Sequence, residues 1–205
     1  MIKMLTIVEN EDIMEHISEY DIILIGTNVY CTLSQGVQRD IALNYPYVRE
    51  KNFQTKYGDV DKMGTILECT AENEPFISLL YICRGYPCKK VNGEDYLSYE
   101  SLEKCLRLVN VKYKGLKIGC PLLGCSRFDG NGDKERVMEI FNNCLTNVDV
   151  TIYDYFQQSR NEKQIATRKK ELAVKAEDYN AYYEMVKQRK EEAEKRFLRN
   201  GFARY

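Results

Sequence analysis

The chain has 205 residues and a formal net charge of −1, with 44% hydrophobic and 30% charged residues. This length allows one domain with an ordinary core plus an additional segment, and the charge excludes the dense positive field of a dedicated duplex-binding protein. The charge is unevenly spread, because residues 157–205 hold 13 Lys/Arg against 8 Asp/Glu and the remainder holds 17 against 23. A mildly acidic body is therefore joined to a basic tail.

In chain order, the hydrophobic pattern first predicts a strand, a short helix and a second strand. The first strand covers residues 4–8, and an acidic cluster then begins a helix that reaches Ser18. Residues 21–25 are continuously apolar, which is typical of a strand covered on both faces. A helix follows at residues 34–45, and we expect Pro46 to stop it because proline cannot continue a helix.

The second half of the body alternates strands with helices. Residues 63–69 and 76–83 are predicted to be adjacent strands, and Ser98 is placed to cap the helix that comes next. A strand at residues 116–121 then leads through a glycine-containing loop to a helix capped by Asp133.

A last alternating segment, residues 148–155, is predicted to close the sheet. Strands alternating with helices favour a three-layer αβα fold with a mixed, mostly parallel sheet. Ligands of such folds bind beyond the carboxyl ends of the strands. Two polar, glycine-containing segments are predicted to lie there, residues 26–37 and residues 122–133.

Both segments have the features of a phosphate-binding site. Each follows an apolar strand and precedes a helix, whose first turn offers unpaired N–H donors and the positive end of the helix dipole. Glycine lets a ligand approach the main chain closely. Gly36 and Gly124 are the candidates for this role, although each also suits a tight turn.

The tail differs in kind from the body. A capping box begins at Ser159, Asn200-Gly201 fits a helix stop, and about 40 residues without proline or glycine lie between them, enough for a helix of roughly 60 Å. Apolar residues recur every seven positions: Ile165, Leu172, Tyr179, Val186 and Ala193. This spacing fits either a weak coiled coil that joins chains into a homo-oligomer or a helix docked on its own body.

We therefore divide the chain into an α/β domain at residues 1–157 and a long, basic amphipathic helix at residues 158–205. Acidic residues interleave with the basic ones along the tail, so nucleic acid is not the expected partner.

The eight cysteines fit neither zinc nor a disulfide framework. No Cys-x-x-Cys pair occurs, and the single histidine, His16, is far from the cysteine clusters. Most of the cysteines lie in apolar runs, where a thiol acts as a small hydrophobic side chain. The sequence shows neither a signal peptide nor a spanning segment, so we expect a reducing cytoplasmic location, no membrane partner and no metal or cofactor.

Five short motifs occur in a fixed order, and together they resemble a known family. The first three are Leu33-Ser34-Gln35-Gly36-Val37, Lys56-Tyr57-Gly58-Asp59 and Met63-Gly64-Thr65. Ser98-Tyr99-Glu100-Ser101-Leu102 and Pro121-Leu122-Leu123-Gly124-Cys125 follow. The series resembles a macrodomain, the fold that binds ADP-ribose. The closest resemblance is to the branch of ADP-ribose-1″-phosphate phosphatases and terminal ADP-ribose–protein glycohydrolases, which also occurs in large bacteriophages.

The resemblance covers about residues 4–156 and implies a ligand-binding set. Asp12 would accept a hydrogen bond from the adenine amino group, with Ile13 beside it, or Asp12 is simply an acid in the first turn of a helix. Main-chain amides of the first motif would hold the diphosphate from one side. The set implied for the other side is Gly124, Cys125, Ser126, Arg127 and Phe128, where Phe128 either covers the distal ribose or fills the underside of its loop.

The resemblance also implies three candidate catalytic positions, and two of them depart from the family pattern. Asn28 would face the distal ribose, or it caps its own loop. Arg84 replaces a lysine of the glycohydrolase branch, and arginine keeps its proton at neutral pH, so it can clamp a phosphate but not act as an amine nucleophile. Phe128 stands in the position of an aspartate, with Asp129 next to it as the candidate base for phosphatase chemistry.

Three functions remain open from the sequence. The first is an enzyme that hydrolyses ADP-ribose-1″-phosphate or removes ADP-ribose, in the host cytoplasm if the protein is viral. The second is a nucleotide sensor or sponge that uses the same pocket without turnover. The third is a structural or assembly protein whose C-terminal helix provides the function.

Overall fold

The structure is a computed structural model in which residues 5–84, 96–126, 130–155 and 176–199 are described. The strands of this part are β1 (Leu5–Glu9), β2 (Ile22–Asn28), β3 (Ile66–Cys69), β4 (Ile77–Cys83), β5 (Lys117–Pro121) and β6 (Asp149–Asp154). Its helices are α1 (Gly36–Asn44), α2 (Pro46–Gln54), α3 (Tyr99–Lys112), α4 (Lys134–Cys144) and α5 (Ala176–Arg199). Three 3-10 turns lie at Ile13–Glu15, Ile17–Glu19 and Val60–Lys62.

The six strands form one sheet in the order β1-β6-β5-β2-β4-β3. All neighbouring pairs are parallel except β3 and β4, which run antiparallel. The carboxyl ends of five strands therefore meet at one edge of the sheet, which we call the carboxyl rim. Helices cover both faces, so the predicted three-layer αβα fold with a mixed, mostly parallel sheet is confirmed.

Two hydrophobic cores lie on opposite faces of the sheet. On one face the buried residues of α3 and α4 include Leu102, Leu106 and Phe141. On the other face α1, α2 and α5 contribute residues such as Ile41, Val48, Tyr179 and Val186. Because both faces are covered, every residue of β2 and of β4 is buried, which explains why most of their residues are apolar.

The order of the strands reverses between β2 and β5. The two strands, which are both fully described, pair only near their starts, Ile22 with Ile118 and Ile23 with Gly119. Beyond these pairs, β2 is paired with β4 and β5 with β6, so no ladder joins their carboxyl ends. Open α/β sheets bind their ligands at such a reversal.

Both predicted helix caps are present. The Ser98 hydroxyl accepts a hydrogen bond from the Ser101 amide at 3.2 Å, at the start of α3. The Asp133 carboxylate accepts from the Arg136 amide at 2.8 Å, at the start of α4. Each cap satisfies one of the N–H groups that a helix leaves unpaired at its first turn.

The prediction of a helix that reaches Ser18 was wrong, because this segment forms two 3-10 turns. The connection from β1 to β2 must run the length of the sheet with only residues 10–21. A 3-10 turn rises about 2.0 Å per residue against 1.5 Å for an α-helix, so it spans this length with fewer residues.

Helix α2 was missed. Pro46 does stop the preceding helix, which ends at Asn44, but it also begins α2. Proline is favoured at the first position of a helix, where its missing N–H costs nothing. The buried residues of α2 include Arg49 and Asn52, so no apolar stripe marks the helix in the sequence.

Segment 148–155 does contain a strand, but the prediction that it closes the sheet was wrong. This strand, β6, lies between β5 and β1, and β1 forms the edge. The N-terminal strand adds outside the last strand of the body, an order that local sequence does not encode. Strand β3 also starts later than expected, at Ile66, after a turn in which Gly64 has a φ of 80°.

The seven cysteines of the described chain are free thiols, and all of them except Cys125 are buried. Burial raises the pKa of Cys105 to about 12, so its thiol stays protonated. Among the described helices, none combines the length and the apolar character needed to cross a bilayer.

Substitution of Gly119 in β5 should destabilise the fold, although alanine normally suits a strand better than glycine. A Cβ atom there would lie 2.6 Å from Cδ2 of Tyr20, whose hydroxyl is hydrogen bonded to that of Tyr153 at 2.7 Å. We expect Gly119→Ala to lower the free energy of unfolding in urea by about 1–3 kcal/mol. In a Tyr20→Ala background the same change should cost less than about 0.5 kcal/mol, and an equal cost in both backgrounds would refute the clash.

Candidate functional site

Two loops extend from the strands that separate at the carboxyl rim. Loop 1 (residues 29–35) connects β2 to α1, and loop 2 (residues 122–133) connects β5 to α4. Loop 1 leads to the face covered by α1, whereas loop 2 leads to the face covered by α4. The two loops therefore start from the same rim and flank the point where β2 and β5 part.

The main chain of loop 1 is strained. Cys31 has a φ of 57° and Leu33 a φ of 32°, although neither is glycine, and both side chains are fully buried. Positive φ costs a non-glycine residue about 1–3 kcal/mol and persists only where surrounding contacts impose it. Gly36, the first residue of α1, also has a positive φ, of 53°.

Asn28, at the end of β2, holds the start of loop 1. Its side-chain amide donates to the Thr32 hydroxyl at 2.7 Å, and its amide oxygen accepts from the Tyr30 main chain at 2.9 Å. The side chain is buried, and both of its polar groups are engaged within the loop. These bonds favour the capping interpretation of Asn28, and its role at the ribose remains a prediction.

The turn after α2 supports loop 1 from beneath. The Lys62 ammonium donates to Cys31 Sγ at 3.3 Å and to Thr55 Oγ1 at 3.0 Å. Burial lowers the pKa of Lys62. The Gly58 amide donates to the Val29 carbonyl at 3.0 Å, so the Lys-Tyr-Gly-Asp motif contributes a main-chain hydrogen bond that stabilises the loop.

The first turn of α1 is open where loop 1 is otherwise closely packed. Its N-cap residue, Gln35, makes no side-chain cap bond, unlike Ser98 and Asp133. A Cβ atom built on Gly36 would meet no atom of the described chain within 4 Å. The buried Gln35 Oε1 also has no hydrogen-bond partner there. A helix start leaves its first N–H groups without partners inside the helix, and here these groups and the positive end of the helix dipole lie beside Gly36, where the described residues leave open space.

Loop 2 is packed tightly against the segment before α3. Gly124 has a φ of 70°, and a Cβ atom there would lie 2.6 Å from Leu97 Cδ1. The Leu97 amide donates to the Gly130 carbonyl at 3.1 Å, and the Gly132 amide donates to the Gly124 carbonyl at 2.9 Å. Gly124 is thus required by the turn and by packing, whether or not a ligand approaches it.

The other predicted residues of loop 2 are only partly described. Cys125 is half-buried against the α3–α4 core, and the exposed Ser126 accepts at its carbonyl from the Gly130 and Asn131 amides, at 3.2 and 2.9 Å. Arg127, Phe128 and Asp129 lie outside the described residues, so the predictions made for them stay predictions.

Asp12 and Ile13 follow β1 at the same rim. The Asp12 carboxylate accepts a hydrogen bond from the Met14 amide at 3.1 Å and caps the first 3-10 turn. Both residues are buried, Ile13 within the α1–α2 core. The capping role of Asp12 is therefore present, and its role as an acceptor for adenine remains a prediction.

His16 anchors the turns that carry Asp12. Its ring stacks on Tyr153 with centroids 5.3 Å apart, Nδ1 lies 2.7 Å from Glu19 Oε1, and Nε2 lies 3.1 Å from Glu11 Oε2. The hydrogen bond with Glu19 raises the pKa of His16 above its ordinary value of 6.5; burial opposes this shift, and the charges of Glu19, Glu11 and Glu15 add to it.

Every predicted site residue that the structure describes lies at the carboxyl rim or in the loop just beyond it. Arg84 is exposed directly after β4. The others follow β1, β2 and β5: Asp12, Ile13, Asn28, Leu33, Ser34, Gln35, Gly36, Val37, Gly124, Cys125 and Ser126.

Sequence reasoning missed one contribution to this rim. Helix α5 packs against loop 1, where the Tyr179 hydroxyl donates to the Leu33 carbonyl at 2.9 Å and the Tyr182 hydroxyl donates to the Cys31 carbonyl. The seven-residue spacing marked Tyr179 as part of an apolar stripe, but nothing in the sequence indicated what the stripe contacts. The Lys62–Cys31 contact left no signal, because the two residues are far apart in sequence.

The described part of the chain has the fold of solved macrodomains. Among solved structures, a Bacteroides thetaiotaomicron protein of unknown function aligns with a TM-score of 0.64 at 19% identity, over 74% of this chain and 98% of its own. The macrodomain of Thermus aquaticus DarG aligns with a TM-score of 0.53 at 15% identity, over 74% and 99%. Thermosipho africanus DarTG in complex with ADP-ribose aligns with a TM-score of 0.58 at 17% identity, over 78% of this chain and 44% of its own.

By sequence, no family model and no curated protein matches the chain. At identities this low the structural likeness shows the fold alone. The phosphatase branch and a bacteriophage source, which the sequence motifs imply, remain predictions.

An NMR pH titration can test the environment of His16 directly, because the chain has a single histidine. We expect a pKa above 6.5, lowered more by Glu19→Gln than by Glu15→Gln, since the bond to Glu19 is the largest cause of the shift. A raised folded-state pKa means that this stabilisation is complete below about pH 6.5 and is lost as the pH rises through the folded-state value. Loss of this stabilisation should lower the free energy of unfolding by about 0.2–1 kcal/mol. If Glu19→Gln and Glu15→Gln lower the pKa of His16 equally, Glu19 is not the main cause of the shift.

Proposed function

We propose that this protein binds ADP-ribose or a related NAD-derived nucleotide between loops 1 and 2. The observation that carries the proposal is the first turn of α1, where no atom of the described residues lies within 4 Å of a Cβ atom built on Gly36, at the point where β2 and β5 separate. A diphosphate placed there would accept hydrogen bonds from main-chain amides of this turn and meet the positive end of the helix dipole.

Local main-chain donors, rather than the overall charge, would recognise the diphosphate. Outside residues 157–205 the chain holds 17 basic and 23 acidic residues, so its general field does not attract anions. Recognition by fixed amides is compatible with this charge, because the donors act at hydrogen-bond distance. The nearby Arg84, exposed after β4, could pair with a phosphate oxygen as well.

The adenine end would lie toward β1. Asp12 is an acceptor fixed on a short turn, and adenine offers its exocyclic amino group as a donor. Ile13 is buried beside it. The solved relative in complex with ADP-ribose, Thermosipho africanus DarTG, has the same fold and so supports this class of ligand.

Binding without turnover is the form of this function that the described residues favour. The Asn28 amide is engaged on both sides within loop 1, and Arg84 cannot lose its proton to become a nucleophile. Hydrolysis of ADP-ribose-1″-phosphate with Asp129 as general base is the catalytic alternative, carried over from the sequence motifs.

Assembly through the tail is the third candidate function. Tyr179 and Val186, two residues of the seven-residue stripe, are buried against the protein's own body. Pairing with a second chain through that stripe would require α5 to leave this position. The contacts therefore favour the docked helix among the two interpretations of the tail.

Gly36→Ala should reduce ADP-ribose binding more than about tenfold in calorimetry, because the new methyl group would occupy the face that the diphosphate needs. Gly115→Ala is a matched control. Gly115 also has a positive φ, of 83°, and open space around a Cβ atom, but it lies in the α3–β5 turn at the opposite edge of the sheet.

Both substitutions should cost a similar conformational strain, about 1–2 kcal/mol in the free energy of unfolding. Equal losses of affinity in the two variants, or no heat with the wild-type protein at sub-millimolar ADP-ribose, would overturn the proposed function.

Turnover can be tested by phosphate release from ADP-ribose-1″-phosphate. For a binding protein we expect tight association with no release above the uncatalysed rate. Release by the wild-type chain that falls about 10²-fold or more in Asp129→Ala would establish the catalytic alternative. An equal rate in both proteins would remove Asp129 from the mechanism.

A further inference from the structure

We propose that α5 positions loop 1, through Tyr179 and Tyr182, and that nucleotide binding and docking of this helix are therefore coupled. The proposal rests on the proposed nucleotide site and adds a regulatory element to it. The segment that packs against loop 1 is α5 of the same chain, and it is held there by hydrogen bonds and ring contacts.

The two tyrosines bind the two strained residues of loop 1. Tyr179 donates its hydroxyl proton to the Leu33 carbonyl at 2.9 Å, and Tyr182 donates to the Cys31 carbonyl. Leu33 and Cys31 are the non-glycine residues of this loop with positive φ. The helix therefore satisfies the main chain at the very residues whose conformation is least favourable by itself.

The same helix also contacts α1 beyond the loop. The Arg39 guanidinium lies over the Tyr179 ring at 5.5 Å, and Arg39 is three residues after Gly36. The contacts of α5 thus lie on both sides of the open turn: at the carbonyls before Gly36 and at a side chain after it. A shift of the helix would alter the direction of the loop amides as well as the start of α1.

Packing fixes the tyrosines with little freedom. Tyr179 and Tyr182 are 5% and 6% exposed, whereas the adjacent Tyr183 is 38% exposed. The Tyr182 ring meets Phe53 edge-on at 5.9 Å, and Arg49 lies over it at 5.9 Å. This difference in exposure provides both the positioning residues and a control within five residues of one helix.

A second anchor lies two turns further along α5. The Arg189 guanidinium donates to the Phe53 carbonyl and, at 3.3 Å, to the Thr55 carbonyl, and it covers the Phe53 ring at 4.5 Å. Thr55 in turn contacts Cys31 Sγ at 3.2 Å. The helix therefore supports loop 1 directly, through the tyrosines, and indirectly, through the turn beneath it.

Coupling between two sites is reciprocal. If the docked helix holds loop 1 in the conformation that binds nucleotide, then bound nucleotide must stabilise the docked helix by the same factor. Nucleotide should accordingly slow amide hydrogen exchange along α5, although the helix lies outside the proposed binding face.

The test uses the full chain with Tyr179→Phe, Tyr182→Phe and the double variant, and with Tyr183→Phe as the matched control. Phenylalanine keeps the ring and its packing and removes only the hydroxyl donor. We expect each single variant to bind ADP-ribose about three- to tenfold more weakly and the control to bind as the wild type does. Amide exchange of residues 29–37 without nucleotide should be faster in the variants and unchanged in the control.

The outcomes separate this proposal from the proposed function. Unchanged exchange of loop 1 in the double variant overturns the positioning role, whether or not nucleotide binds. If loop 1 exchanges faster in the variants than in the wild-type chain, and the wild-type chain does not bind ADP-ribose, then the positioning role is retained and the nucleotide site is refuted. A lower melting temperature with unchanged affinity and unchanged loop exchange indicates a merely structural helix and also overturns the proposal.

Discussion

Beyond Ile23 and Gly119, β2 and β5 no longer share a ladder, and each strand continues with its neighbour on the far side. This parting of two buried strands places their loops on one rim while sending the chain to opposite faces of the sheet. A helix start then lies after one of the two strands and a tightly packed glycine turn after the other. The site depends on that constraint more than on any single side chain.

The main chain of each loop is held in place by a different set of contacts. Loop 2 uses glycines that fit against Leu97 and a short set of main-chain hydrogen bonds. Loop 1 uses two buried non-glycine residues in an unfavourable conformation, and side chains from β2, from the turn after α2 and from α5 hold it there. A loop held from three directions can present amides to a ligand without rearranging when the ligand arrives.

Local sequence patterns were sufficient to predict the strands, the caps at Ser98 and Asp133 and the positions of both loops. Hydrophobic periodicity and helix capping depend on residues close together in the sequence. They failed where tertiary structure decides. The polar residues Arg49 and Asn52 are buried in α2, and the order of β6 and β1 depends on pairing across the whole sheet. The contact of Tyr179 with Leu33 joins residues 146 positions apart, and no local pattern could show it.

That sequence separation has a consequence for how the molecule reaches its final form. The pairs of β1 with β6 span a comparable separation, but Tyr179 and Tyr182 also lie further along the chain than β6. During synthesis the sheet and loop 1 emerge long before the tyrosines of α5, so early intermediates hold Cys31 and Leu33 without those hydroxyl donors. The support of loop 1 by α5 should therefore be completed only after all six strands have been synthesised.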